Sequence, residues 1–197
     1  MNVVPRILPL FLLLWLAGCA SWIAPLSEQQ LDTFHGTRTM GARIEDQRIE
    51  RVAWINVTRS MPTLRDNGRL VVVSWNGQVL LAGQVPGDNE RQQVEKTVAA
   101  VRHVLHVHNE LTVGEPVGFW ARSSDASITA RVKMRLLFGP DVPGRRVKVL
   151  TENGVVYLMG LLTREETEMA VNAARNVYGV QKIVKIVEYI DARNATR

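Results

Sequence analysis

The chain has 197 residues, a formal net charge of +5, a hydrophobic content of 46% and a single Cys. That length suits one domain or two small ones. One Cys excludes an internal disulfide, so each folded unit must rest on its own apolar core, close to the lower size limit for independent stability if a unit has about 70 residues.

In chain order, the first element is a processing signal. Arg6 is the only charge before an apolar run from Ile7 to Ala17, interrupted by Pro9. The run is shorter than the ~20 residues a membrane-spanning helix needs and fits the apolar region of an export signal. It ends in Leu16-Ala17-Gly18-Cys19. This ending resembles the lipobox of bacterial lipoproteins. The resemblance implies diacylglyceryl transfer to the Cys19 thiol, cleavage before it and acylation of the new amine. Two or more acyl chains anchor stably where one does not. The alternative is an ordinary signal peptide, or an uncleaved anchor, with a chance Cys. Residues 1–18 are therefore expected as a signal peptide and 19–43 as a lipidated tether. Within the tether, Trp22, Ile23 and Leu26 either rest on the lipid surface, where Trp is favoured, or are incidental in a flexible leader. Ala rather than Asp at position 20 implies, by the sorting rule of enterobacterial lipoproteins, the outer membrane, facing the periplasm.

Beyond the tether the chain repeats itself. Leu70–Gly83 reads as strand, Asn76-Gly77 turn, strand; Val147–Gly160 reads the same way around Asn153-Gly154, 77 residues later. Asn-Gly accepts the positive φ angles of a tight hairpin turn. Gly83 and Gly160 close the second strands where a bend or close packing is permitted. A helix is expected after each hairpin, over Asp88–His103 and Thr163–Tyr178. Thr163-Arg164-Glu165-Glu166 has capping-box form. Closing strands follow near Val104–Val113 and Val180–Ile190. Gly179 marks the second helix stop, where the first unit has the less explicit His103. A helix precedes each hairpin, carried by Ile44, Ile49, Val52 and Ile55 in the first unit and by Ile128, Val132 and Leu136 in the second. The fold class is thus α+β, two tandem α-β-β-α-β units, each an open three-stranded mixed sheet with two helices on one face. The linker is placed near Gly114–Ser124. The expected boundaries are 44–116 and 117–193, with a tail at 194–197.

These features resemble the BON domain. In the second unit the resemblance runs through Ile128, Asn153-Gly154, Leu158-Met159-Gly160 and Gly179-Val180. Two such units behind a lipobox resemble the dual-BON outer-membrane lipoproteins, the division- and outer-membrane-associated lipid-binding proteins. The resemblance implies a non-catalytic protein that supports envelope integrity and contacts anionic phospholipid through the first helix of its second unit. The lipid-binding residues are expected at Trp120, Ser127, Ile128, Arg131, Met134 and Arg135. Ser127 stands where an aromatic is expected, so either the contact is weaker or Phe119 and Trp120 take over the insertion.

Charge supports the same half of the chain independently. Residues 119–197 hold 13 Lys or Arg against 8 Asp or Glu, whereas residues 19–118 hold 10 against 11. Arg131 and Arg135 lie four apart on one helix face, with Lys133 beside them and Arg122 ahead of the helix. Other signals are weaker. His103, His106 and His108 lack the ligands that would complete a metal site. Glu165 and Glu166 are explained as negative charges at a helix N-terminus. No nucleotide loop or catalytic triad stands out, and an exported protein rarely meets nucleic acid. No enzyme activity, metal or cofactor is expected, and no nucleic-acid partner. The second function considered is an interaction module for an envelope protein partner, pairing through a sheet edge.

Overall fold

The computed structural model describes residues 39–139 and 144–191. The signal segment, Cys19 and the apolar tether residues lie outside them. The elements are α1 (Met40–Ser60), the short α2 (Leu64–Asn67), β1 (Arg69–Trp75), β2 (Gln78–Val85), α3 (Asp88–Ala99) and β3 (His106–Val113). The repeat follows as α4 (Phe119–Phe138), β4 (Val147–Glu152), β5 (Val155–Leu162), α5 (Arg164–Arg175) and β6 (Lys182–Tyr189). Each sheet has its second strand in the middle, antiparallel to the first and parallel to the third. The two α-β-β-α-β units are therefore present, with α2 as an addition between α1 and β1.

The hairpins form as the Asn-Gly pairs dictate. Asn76 and Gly77 have φ of 52° and 77°, and Asn153 and Gly154 have 50° and 74°, the double positive φ of a hairpin turn matched to strand twist. A feature the hairpin sequence does not announce holds both turns. Asp46 accepts from the amides of Asn76 (2.9 Å) and Gly77 (3.1 Å) and from the Ser74 hydroxyl (2.7 Å). Asp125 accepts from the amides of Asn153 (2.8 Å) and Gly154 (2.9 Å). Each first helix thus clamps its own hairpin with a buried carboxylate. Such charge-assisted bonds are stronger than neutral ones.

Close packing explains two glycines. A Cβ at Gly83 would fall 2.0 Å from the Arg69 carbonyl oxygen, and one at Gly160 would fall 2.6 Å from that of Arg146. The capping box also forms: Thr163 Oγ1 accepts from the Glu166 amide, and Glu166 Oε2 from the Thr163 amide. Glu166 in addition pairs with Arg146. His103 takes the left-handed place that Gly179 takes in the repeat, with φ of 68° against 94°. Its Nδ1 lies 2.6 Å from Glu45 Oε1 on α1, an anchor that replaces the freedom of a glycine.

Three apolar clusters make the core. Ile49, Ala53 and Val57 of α1 pack with Val79, Leu81 and Val94; Ile128, Val132 and Leu136 of α4 pack with Val156, Leu158 and Ala170. The third cluster lies between the sheets and joins Val73, Trp75, Leu80 and Ala82 to Tyr157, Met159 and Ile186. Alternation along β2 sends Val79 and Leu81 to the helices and Leu80 and Ala82 to the facing sheet. Burial on both faces accounts for the unbroken apolar runs in β2 and β5, since only a one-sided strand needs polar alternation. The sheet faces left open in the sequence reading are closed by one another. Desolvation in this seam, with Glu110 and Glu152 nearby, pushes the Tyr157 hydroxyl up to about 12.

Polar contacts rim the seam. Arg69 Nε donates to Glu152 Oε1 at 2.9 Å, Lys148 Nζ to Glu50 at 2.7 Å, and Asn76 Nδ2 to Glu188 at 2.9 Å. Gln84 links the seam to the inter-unit segment: its Nε2 donates to Glu152, and its Oε1 accepts from the Val117 amide at 3.1 Å.

Some boundaries differ from expectation. Met40–Arg43, expected in the tether, form the first turn of α1, capped by Thr39. The linker expected over Gly114–Ser124 is shorter, because α4 begins at Phe119 rather than near Asp125. Pro116 and Gly118 stop regular structure, but nothing after Gly118 breaks a helix. The helices after the hairpins end at Ala99 and Arg175, before the turns that Val101 and Val177 anchor.

Candidate functional site

The first helix of the second unit, α4, has 20 residues, a rod about 30 Å long. Asp125, Ile128, Val132 and Leu136 recur every three or four residues and turn inward, which fixes the rest of the surface. At about 100° per residue, Trp120, Ser127, Arg131, Met134 and Phe138 fall within about 40° of one outward line. Trp120 is 83% exposed and Phe138 77%, with Phe119, Met134 and Leu137 also exposed.

Of the six residues expected to contact lipid, five share this outward surface: Trp120, Ser127, Arg131, Met134 and Arg135 are exposed. Ile128 does not join them. It is 3% exposed and packed in the second core; its periodicity with Val132 and Leu136 makes it a core residue, so its expected lipid contact is corrected. Arg122 also differs in place. It lies inside α4 and lines a cleft between the units instead of preceding the helix.

Ser127 carries no aromatic, but the extended helix places Trp120 two turns away along the same face. Phe119 and Trp120 meet edge to face, with centroids 5.7 Å apart. At the other end of α4 stand Leu137 and Phe138. Phe138 follows Met134 by four residues, which puts the two on one face of the helix. Tyr178, 90% exposed, stands in the loop after α5, and Arg131 Nη2 donates to its carbonyl at 3.2 Å. Between α4 and α5 a groove of about 620 Å³ continues the apolar surface, lined by Met134, Phe138, Met169 and Ala173 with Arg135 and Asn172 at its sides.

The electrostatics are one-sided. Asp125 is the only acid in α4, and it is buried on the hairpin turn. Arg131, Lys133 and Arg135 are exposed, and among the described residues none of them makes an ion pair. The outward face of α4 thus carries aromatic side chains at both ends with Ser127, Arg131 and Met134 between them, Arg135 to one side and no acid, while Lys133 stands on another face. Among the described residues no helix is long and apolar enough to cross a membrane.

The other candidates have plainer settings. Among the described residues no group of three His, Cys, Asp or Glu is placed to hold a metal. His108 Nε2 lies 3.0 Å from Gln78 Oε1, and burial holds its pKa below the ordinary value, with His106 adding to the effect. Glu165 and Glu166 sit in the first turn of α5, as their helix-terminal reading requires. For strand addition by a partner, the seam and the helices cover both sheet faces, so only the outer strands are in position.

Comparison with known proteins agrees with this architecture. The BON domain family matches residues 56–115 and 124–191. The outer membrane lipoprotein DolP of Haemophilus influenzae is 32% identical over 178 residues, covering 90% of this chain and 92% of that protein. A 21 kDa hemolysin of Actinobacillus pleuropneumoniae is 35% identical over 153 residues, 78% of each chain. The osmotically-inducible protein Y of Escherichia coli is 31% identical over 111 residues, about half of each. With both units matched and the likeness to an outer-membrane lipoprotein running along nine-tenths of its length, the chain belongs to the BON-domain family of outer-membrane lipoproteins.

Proposed function

We propose that this lipoprotein is non-catalytic, is anchored by lipids on Cys19, and lays α4 of its second unit against anionic phospholipid in support of envelope integrity. The observation that carries the proposal is the outward face of α4: Trp120, Met134 and Phe138 exposed in line, Arg131 among them and Arg135 beside them without an ion pair among the described residues, and the helix's only acid buried. Each basic side chain near an anionic surface contributes about 1 kcal/mol. Aromatic residues at the ends of the strip suit the boundary between head groups and acyl chains. Neither term is large, and a unit already held by an anchor needs only a weak, selective contact.

The test uses the chain without residues 1–19, so that the anchor does not mask the contact. Co-sedimentation with phosphatidylglycerol vesicles is expected to exceed that with phosphatidylcholine vesicles and to fall as salt rises. The double substitution Arg131→Glu, Arg135→Glu should abolish the excess. Equal sedimentation with both vesicle types, or no change on the double substitution, refutes the proposal.

A further inference from the structure

A second basic surface lies away from the outward face of α4, where the two units meet. A cleft of about 330 Å³ is lined by Trp54 of α1, Leu64 and Arg65 of α2, Arg69 at the start of β1, Pro116 of the inter-unit segment and Arg122 of α4. Its volume is in the range of small-ligand sites, and its walls combine an apolar floor with a few polar groups. Trp54 is 46% exposed, a large aromatic surface that neither core nor seam uses.

The charges of the cleft set what it can hold. Among the described residues no carboxylate lines it. Arg69 gives its Nε to the buried Glu152, which balances one positive charge and leaves the terminal nitrogens of the same fork for another acceptor. Arg65 and Arg122 are exposed and make no ion pair among the described residues. Two guanidinium groups without a carboxylate partner among the described residues match the charge of about −1.5 to −2 that a phosphomonoester carries at neutral pH, and exceed that of a carboxylate. Guanidinium is also the side-chain group best shaped for paired bonds to phosphate oxygens. The indole of Trp54 offers a flat apolar wall for the body that bears the phosphate.

We propose that this inter-unit cleft binds a phosphomonoester carried on a small polar body, with Arg65, Arg69 and Arg122 on the phosphate and Trp54 against the body. Two sources present that chemistry, a free phosphosugar and a lipid with a terminal phosphate. Because α1, α2, β1 and α4 all contribute, the ligand bridges the units.

The test follows the Trp54 indole and the arginine Nε resonances of the mature lipoprotein in neutral detergent micelles. Inorganic phosphate and glucose 1-phosphate are titrated in one arm and detergent-solubilised phosphatidic acid in the other, each against sodium chloride at matched ionic strength. Saturable shifts at Trp54 and Arg122 in either arm, weakened about tenfold by Arg65→Gln, support the cleft, and the tighter arm identifies the source. Shifts that follow ionic strength alone, or a response that Arg65→Gln leaves intact, overturn it. Arg65 lies off the outward face of α4, so co-sedimentation of Arg65→Gln with phosphatidylglycerol vesicles should stay as in the parent chain, and the two proposals fail separately.

Discussion

The two units are built alike, and their first helices have opposite surfaces. Both α1 and α4 bury an apolar stripe and aim a carboxylate, Asp46 or Asp125, at the amides of their own Asn-Gly turn. Outside those positions they diverge. On α1 two half-buried acids are engaged: Glu45 with Arg48 and His103, and Glu50 with Lys148 of the other unit. On α4 there is no exposed acid, and Arg131 and Arg135 stand beside exposed Met134 and Phe138. What the helices share belongs to folding the repeat, and what separates them belongs to what each surface meets. The acids of α1 are tied into the protein's own ion pairs, whereas the exposed cations of α4 make none among the described residues.

The largest expected effect tests the shared part. Asp125→Ala removes the acceptor for two amides of the second turn. Leaving a buried donor unsatisfied costs about 1–3 kcal/mol, so a loss of about 2–5 kcal/mol is expected in urea unfolding. Asp46→Ala should cost at least as much, since Asp46 also holds the Ser74 hydroxyl. If either substitution lowers stability by less than about 1 kcal/mol, the carboxylate clamp is not a common folding device of the two units.

The next effect tests the divergence. Reversing Arg131 and Arg135 removes about 2 kcal/mol of attraction to an anionic surface and adds repulsion, so vesicle affinity should fall by at least about thirtyfold. Reversing Arg48 and Arg51 on α1 changes the total charge equally, yet it should leave vesicle affinity within about twofold, because those residues lie off the proposed contact. Equal losses from the two pairs would mean that net charge, rather than the face of α4, attracts the membrane.

The same contrast separates what could be read from the sequence and what could not. The hairpins, the capping box and the closing glycines were legible because each is decided by residues a few positions apart. The basic bias of the second half was legible by counting. The clamps were not, since Asp46 and Asp125 precede their turns by about thirty residues and only the folded chain brings them together. The resemblance implies a lipid contact for Ile128, whereas its helical spacing with Val132 and Leu136 already marks the stripe that turns inward, and the packing of those two beside it decides the matter. The seam left a trace in the unbroken run Val79–Ala82 and in Val155–Leu162, where a one-sided sheet would alternate. Its pairing of Trp75 and Leu80 with Tyr157 and Met159 is a shape match that period alone does not encode.

The smallest expected effect also distinguishes the units. His108 on β3 occupies the place that Val184 takes on β6, as the registers Leu80↔His108 and Tyr157↔Val184 show. Burial, then the neighbouring His106, lowers the His108 pKa below 6.5, while Glu110 acts in the opposite direction. Between the lowered folded value and 6.5 the unfolded chain therefore binds more protons at this residue than the folded one. Stability should rise with pH through that window and level off above it. The second unit carries no histidine at the matching position, so this part of the pH dependence belongs to the first unit alone. His108→Val, which copies the second unit, should flatten the melting temperature against pH below 6.5 and leave it nearly unchanged at pH 7.5. A parallel downward shift at every pH would instead mean that the bond between His108 and Gln78 matters more than the proton, and the difference between the units would then be one of packing.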